Sequence, residues 1–145
     1  MIRKRIRSDN PSLMALWRRS VTDTHTFLTE EDIRGIERDL ADFLPNLEVW
    51  VFELDGRPVG FMGLSRSKVE MLFVETGFYG RRIGTLLLNH ARSRHETLVL
   101  DVNEQNPLAR DFYLRYGFRE TGRSVTDAAG RPFPLIHMRL DAAGN

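Results

Sequence analysis

An α/β fold, built on one mixed, twisted sheet of about seven strands with four helices, is what this sequence predicts, and three observations predict it. Two pairs of alternating apolar runs, 47–54 with 58–64 and 118–125 with 133–140, are joined by turn signals and read as antiparallel hairpins. The apolar run 69–74 passes through a glycine-marked turn and a helical stretch to a second apolar run at 97–102, an order that makes these two runs parallel neighbours. Four segments carry apolar residues at helical spacing behind capping signals. With 145 residues and 41% hydrophobic side chains, one domain spanning 1–145 with a sizeable core is expected.

Each element has a local reason. Ile2, Lys4 and Ile6 alternate with Arg3, Arg5 and Arg7, so the start reads as a half-buried edge strand rather than a basic binding patch. Asn10-Pro11 predicts an N-cap with proline at the first helical position, and Leu13, Leu16 and Trp17 form the apolar face behind it. Thr29 is expected to cap a second helix, with Asp32 at the capping-box position and Leu28 and Ile33 spaced as a hydrophobic staple. Ile33, Ile36, Leu40, Phe43 and Leu44 then repeat at helical intervals up to Pro45. Asp55-Gly56 is the strongest hairpin signal in the chain, and 65–68 reads as a polar connection. The third helix is expected to run to about Arg94. Asn106-Pro107 repeats the cap-plus-proline signal for a fourth helix, which buries Leu108, Phe112 and Tyr113 and ends at Gly117. Residues 129–132 turn the final hairpin, and 141–145 read as a frayed tail.

Composition excludes several chemistries. There is no cysteine, which removes disulfides, thiolate metal sites and a cysteine nucleophile together. His25, His90, His95 and His137 lack zinc-ligand spacing and no carboxylate run resembles a calcium loop, so no metal is expected. Ser65, Ser67 and Ser124 lack the surroundings of a nucleophile elbow. Twenty-one basic against 20 acidic side chains leave a formal charge of +1, which gives no reason to expect a nucleic-acid partner. The first residues have no signal-peptide core and no run approaches 18 apolar residues, so no membrane partner and a cytoplasmic location are expected.

The stretch that carries chemistry is VEMLFVETGFYGRRIGTLLLNHA. A strand, a turn holding Gly77 and Gly80, and a helix start aim several backbone N–H groups at one point, an arrangement suited to a pyrophosphate. Neither GxxxxGK(S/T) nor GxGxxG is present, so a P-loop nucleotidase or a dinucleotide enzyme fits poorly. What remains is a phosphate-bearing, nucleotide-type cofactor with Arg81 and Arg82 as charge partners.

Here the chain resembles a known family. FVETGFYGRRIGTLLL and the later NEQNPLARDFYLRYGF are similar to motifs A and B of the GNAT N-acetyltransferases, in the same order and separation, and the likeness spans nearly the whole chain. SVTDTHTFL, NEQN and GRPFPL together resemble one bacterial subgroup of that family. The resemblance implies acetyl-CoA as cosubstrate and acetyl transfer to a primary amine by direct attack in a ternary complex. The acceptor classes it leaves open are a small-molecule amine and a protein lysine or N-terminus. The pyrophosphate motif Gln/Arg-x-x-Gly-x-Gly/Ala falls on Tyr79, Gly80, Arg81, Arg82, Ile83 and Gly84, with Thr85 beside it. Tyr79 and Arg82 depart from it, the second where glycine lets the backbone approach the phosphates.

By the same resemblance, the main chain at Phe73 and Val74 would hold pantetheine, with the Val74 N–H polarising the thioester carbonyl. Asn106 would contact the cofactor arm, although capping its own helix is an equal role for it. Tyr113 would protonate the departing thiolate; a phenol of ordinary pKa about 10 is a neutral donor at pH 7. The acceptor ammonium must first lose a proton, and His25 and Glu70 are the candidates to take it. Glu70 lies four residues, or roughly 13 Å, from Val74 along the strand. Phe27 and Asn103 would line the acceptor pocket; for Trp17 core packing is the better reading. The alternative to an enzyme is a catalytically silent CoA-binding or sensing module, which the departures at Tyr79 and Arg82 leave open.

Overall fold

Seven strands share one sheet in the computed structural model, which describes residues 1–142; residues 143–145, and with them most of the expected tail, lie outside the described residues. The chain order is β1 (Ile2–Lys4), α1 (Asn10–Thr24), α2 (Glu30–Phe43), β2 (Glu48–Leu54), β3 (Arg57–Ser65), β4 (Lys68–Val74), α3 (Ile83–Arg92), β5 (Leu98–Asn103), α4 (Pro107–Tyr116), β6 (Arg119–Ser124) and β7 (Leu135–Leu140). Across the sheet the order is β1-β2-β3-β4-β5-β7-β6, antiparallel throughout except for the parallel pair β4–β5 that α3 connects. This is the mixed sheet with four helices that the sequence predicts.

The two faces of the sheet are covered by different helices. On one, Leu13, Leu16, Trp17 and Val21 of α1 and Ile33 of α2 pack on Val49, Val51, Phe61 and Met71. On the other, Ile83, Leu87, Leu88 and Ala91 of α3 pack on Val59, Met62, Leu64, Leu100 and Val102, with Ala109, Phe112 and Tyr113 of α4 alongside. Burying one such side chain contributes about 1.5–3 kcal/mol, so each face is held by many comparable contacts.

Local signals set most boundaries. Thr29 Oγ1 accepts from Asp32 N–H and the Asp32 carboxylate accepts from Thr29 N–H, completing the expected capping box. Asp55 and Gly56 both adopt positive φ, 52° and 75°, as a tight hairpin turn of right-handed strands requires. Three expectations shift. The N-cap of α1 is Asp9, not Asn10: the Asp9 carboxylate accepts Ile6 N–H at 2.8 Å and binds the Arg3 guanidinium at 2.8 and 2.9 Å. Asn10 enters the first turn, where its side chain accepts from Arg5. The polar connection at 65–68 is a tight turn, with Arg66 at φ 56°, so β3 and β4 form a hairpin. Helix α3 stops at Arg92, short of Arg94.

The feature that positions the site is how little β4 and β5 pair. Only Lys68–Val99 and Val69–Leu100 are in register, after which the strands part. Next along β4, Met71 faces Gly63 and Val69 faces Leu64, which leaves Glu70 as the extra residue of a bulge. A bulge bends and twists its strand. It falls where the pairing with β5 stops.

Candidate functional site

The gap between β4 and β5 opens into a cavity of about 380 Å³, walled by Leu72, Phe73 and Val74, by the turn and first residues of α3, by Asn106, Ala109, Phe112 and Tyr113 of α4, and by Ser20, Thr24 and His25 from the end of α1. Three groups of residues that are distant in sequence therefore meet here.

The strand register decides which backbone groups face the gap. Glu75 N–H donates to the Val59 carbonyl at 2.9 Å, and Val74 is opposite Gly60, so that pair is of the non-hydrogen-bonded kind. The next pair, Phe73 with Phe61, then exchanges both backbone bonds, whereas the N–H groups of Leu72 and Val74 point away from β3 into the gap. This corrects the expectation for Phe73: its main chain belongs to the sheet, and its ring packs 5.8 Å from that of Phe61. The backbone of Leu72, which was not singled out from the sequence, stands in its place.

At the cavity mouth, Arg82 is the N-cap of α3 in a left-handed conformation, φ 62° and ψ 21°, and makes no side-chain cap bond. The first intrahelical bond after the turn is Leu86 N–H to the Arg82 carbonyl, so the N–H groups of Ile83, Gly84 and Thr85 are left for a ligand. The departure from glycine at Arg82 is thus met by an arginine held where glycine is favoured, at about 1–2 kcal/mol. Gly80 has φ 85° and no heavy atom within 4 Å of where a Cβ would stand, so the turn presents bare backbone. Gly84 lies against Phe112, and a Cβ there would meet its ring at 3.1 Å. Tyr79 is exposed. Arg81 does not line the cavity; its guanidinium stacks on Phe78 at 5.0 Å, with Arg57 also over that ring at 5.5 Å. These donors and cations fit a pyrophosphate.

On the opposite wall, Asn106 takes the capping role and meets His25 as well. Its side-chain oxygen accepts from Ala109 N–H at 3.4 Å as the N-cap of α4, while Nδ2 faces His25 Nε2 at 3.5 Å. Thr24 Oγ1 donates to the Ser20 carbonyl at 2.8 Å and lies 2.7 Å from His25 Nδ1. A hydroxyl has one proton to give, so Nδ1 carries the imidazole hydrogen and donates to Oγ1. Nε2 is left with its lone pair directed toward the Asn106 amide. Burial lowers the His25 pKa from its ordinary value, which keeps the ring neutral at pH 7. Tyr113 sets its ring against Phe112 and Phe118 at 5.3 and 5.6 Å, and burial pushes its phenol above the ordinary value. Its hydroxyl has no protein partner among the described residues.

Glu70, Phe27 and Asn103 do not line the cavity. Glu70 stands at the bulge, 3.5 Å from Lys68 Nζ, which also lies 3.1 Å from Asp101. Asn103 uses its side chain on Gln105 N–H at 2.9 Å to form the turn into α4. Phe27 packs behind His25 at 5.5 Å and against Phe133 at 5.8 Å. Trp17 is core. Sequence reasoning missed Ser20, Thr24, Leu72 and Phe133; the pairing of Thr24 with His25 was visible as neighbours, but not which nitrogen it would fix. Among the described residues no group of histidines and carboxylates could hold a metal ion, and no helix is long and apolar enough to cross a membrane.

Comparison with known proteins places the arrangement. The acetyltransferase (GNAT) domain profile matches residues 21–142. The peptidyl-lysine N-acetyltransferase YjaB of Salmonella typhimurium is 40% identical over 138 residues, covering 94% of this chain and 95% of its own. The peptidyl-lysine N-acetyltransferase YiaC of Escherichia coli is 34% identical over 122 residues, 81% of this chain and 82% of its own. Among solved structures, apo YjaB from Escherichia coli superposes with a TM-score of 0.90 at 38% identity, covering 99% of this chain and 98% of that one. A PaiA N-acetyltransferase from Thermoplasma acidophilum in complex with coenzyme A shares the fold, with a TM-score of 0.79 at 20% identity over 97% of this chain and 98% of that one.

Proposed function

Because the chain belongs to the GNAT acetyltransferase family, we propose that it transfers the acetyl group of acetyl-CoA to the side-chain amine of a protein lysine, as a single domain working in the cytoplasm. The observation that carries this reading is the parting of β4 from β5, which leaves the Val74 N–H unpaired at a cavity that also receives Tyr113 and His25. Lysine is preferred among amine acceptors because YjaB and YiaC are named peptidyl-lysine N-acetyltransferases.

The free N–H groups of Ile83, Gly84 and Thr85, with Arg82 and the bare backbone at Gly80, would hold the pyrophosphate of the cosubstrate, and the backbone of Leu72 and Val74 its pantetheine arm. When bound, acetyl-CoA supplies an activated acyl carbon and a thiol leaving group. The chain's own work is then proton handling and charge stabilisation. His25 Nε2, the unprotonated ring nitrogen, takes the proton from the acceptor ammonium, leaving an amine lone pair free to attack the acyl carbon. Asn106 and Thr24 keep that nitrogen oriented. Val74 N–H is a donor already in place for the oxygen that gains negative charge, so it costs no reorganisation during reaction. The Tyr113 hydroxyl gives its proton to the departing sulfur and regains, through solvent, the second proton that the attacking nitrogen sheds as it becomes an amide. Glu70 is the lesser candidate for the base, since it is outside the cavity and faces the Lys68 ammonium.

No cysteine and no base-activated hydroxyl lines the cavity, which favours direct transfer over an acyl-enzyme. The silent-module alternative is not favoured, because the curated relatives quoted above are named enzymes. Purified protein with acetyl-CoA should release free thiol in the presence of lysine peptides and acetylate them by mass. Thiol release with small amines but with no lysine peptide would overturn the acceptor, and CoA binding without thiol release would overturn the enzyme.

A further inference from the structure

The loop between β6 and β7 crosses to the helices through one contact. Within the loop, Asp127 Oδ1 accepts from Ala129 N–H at 3.0 Å and Arg131 N–H at 2.8 Å, and Asp127 N–H donates to the Arg131 carbonyl at 3.0 Å, which closes it into a compact turn. From this turn the Arg131 guanidinium reaches α2, where Nη2 lies 2.8 Å from the Asp39 carboxylate, while Nη1 stays 3.5 Å from Asp127. Among the described residues this is the loop's one hydrogen-bonded or ionic tie to a helix. Gly35, one turn before Asp39, makes room for it: a Cβ there would come within 3.3 Å of Arg131 Nη2.

Two residues beyond Arg131, Phe133 is buried and meets Phe27, whose other side meets His25 at the cavity. A path of direct contacts therefore runs from α2 through Arg131, Phe133 and Phe27 to His25. None of these contacts involves the turn and helix start on the opposite wall. We propose that the Arg131–Asp39 ion pair, seated over Gly35, is a latch that sets the Phe27–Phe133 pair packed behind His25, and through it the His25 ring on the acceptor side of the cavity, and that Arg131 is a positioning residue for the acceptor rather than for the cosubstrate. The inference rests on the acceptor reaching the cavity beside His25.

The pair is half exposed on the Asp39 side, where solvent screens it, so a moderate effect is expected. R131A and D39A should each raise the KM for a lysine-peptide acceptor about three- to fivefold. The KM for acetyl-CoA should stay unchanged. The double variant should be no worse than either single one, and the charge-swapped D39R/R131D pair should recover most of the loss. Hydrogen exchange across residues 125–134, which needs no turnover, should quicken in both single variants. An unchanged acceptor KM with quickened exchange would overturn the positioning role while leaving the latch. Unchanged exchange would overturn the latch, and a parallel rise in the acetyl-CoA KM would assign the effect to general loosening. If the unaltered protein acetylated no amine, that would refute the proposed function, whereas the exchange measurement would still decide the latch.

Discussion

Replacing Val74 with proline isolates one hydrogen atom. The register assigns the Val74 N–H to the gap, so its loss breaks no bond of the ladder. Proline fixes φ near −65° and demands an extended residue before it, and Phe73, next to the end of β4, already is one. The fold should therefore lose no more than the roughly 0.5–3 kcal/mol usual for single substitutions. Catalysis should lose more, because removing one preplaced donor to a developing oxyanion costs about 10²–10³-fold in kcat, or about 2.7–4 kcal/mol. The control is Phe73→Pro. It deletes an N–H that bonds Phe61, strands the facing carbonyl at about 1–3 kcal/mol, and removes the ring contact with Phe61. Steady-state thiol release with both substrates varied, alongside thermal unfolding, separates the two variants: V74P should be folded and slow, F73P destabilised. A folded V74P that keeps kcat within about tenfold of the unaltered protein would refute the oxyanion assignment.

Three further outcomes are expected. Tyr113→Phe should lower kcat about 100-fold at pH 7 with CoA affinity nearly unchanged, and the defect should shrink above about pH 8.5, where a thiolate leaves without a proton; equal rates at pH 7 would remove Tyr113 from the reaction. His25 has its pKa lowered by burial, so between the folded and the ordinary value of 6.5 the unfolded chain binds more protons. Stability should then fall as pH drops through 6.5, and thermal unfolding at pH 5.5 and 7.5 should show this dependence weakened in His25→Gln, together with a much lower kcat. Arg82→Gly should relieve about 1–2 kcal/mol of left-handed strain against about 0.4–1 kcal/mol of added unfolded-chain entropy. A net gain of up to about 1.6 kcal/mol in stability, with weaker CoA binding by calorimetry from the lost cation, is the result to look for.

What the sequence alone determined is whatever depends on neighbours within a few residues. Asp55-Gly56 turns because both residues accept positive φ, Thr29 and Asp32 cap each other across three positions, and Asn106-Pro107 starts α4 through one side chain and one fixed dihedral. The glycine-marked turn ahead of α3 was legible for the same reason, and with it most of the cavity wall that offers bare backbone donors. Tertiary structure decided the rest. Whether Phe73 or Leu72 offers its backbone to the gap depends on the pairing of β4 with β3, since each one-residue step reverses the direction of the donors. Glu70 was set apart by a bulge that local sequence does not announce. Thr24, its neighbour in sequence, fixes the His25 tautomer, but only the fold sets Asn106, 81 residues away, against the remaining nitrogen. Arg131 found Asp39 across 92 residues. Such contacts are fixed by how the two layers of helices close on the sheet, because a side chain's partner across space is set by packing rather than by its position along the chain.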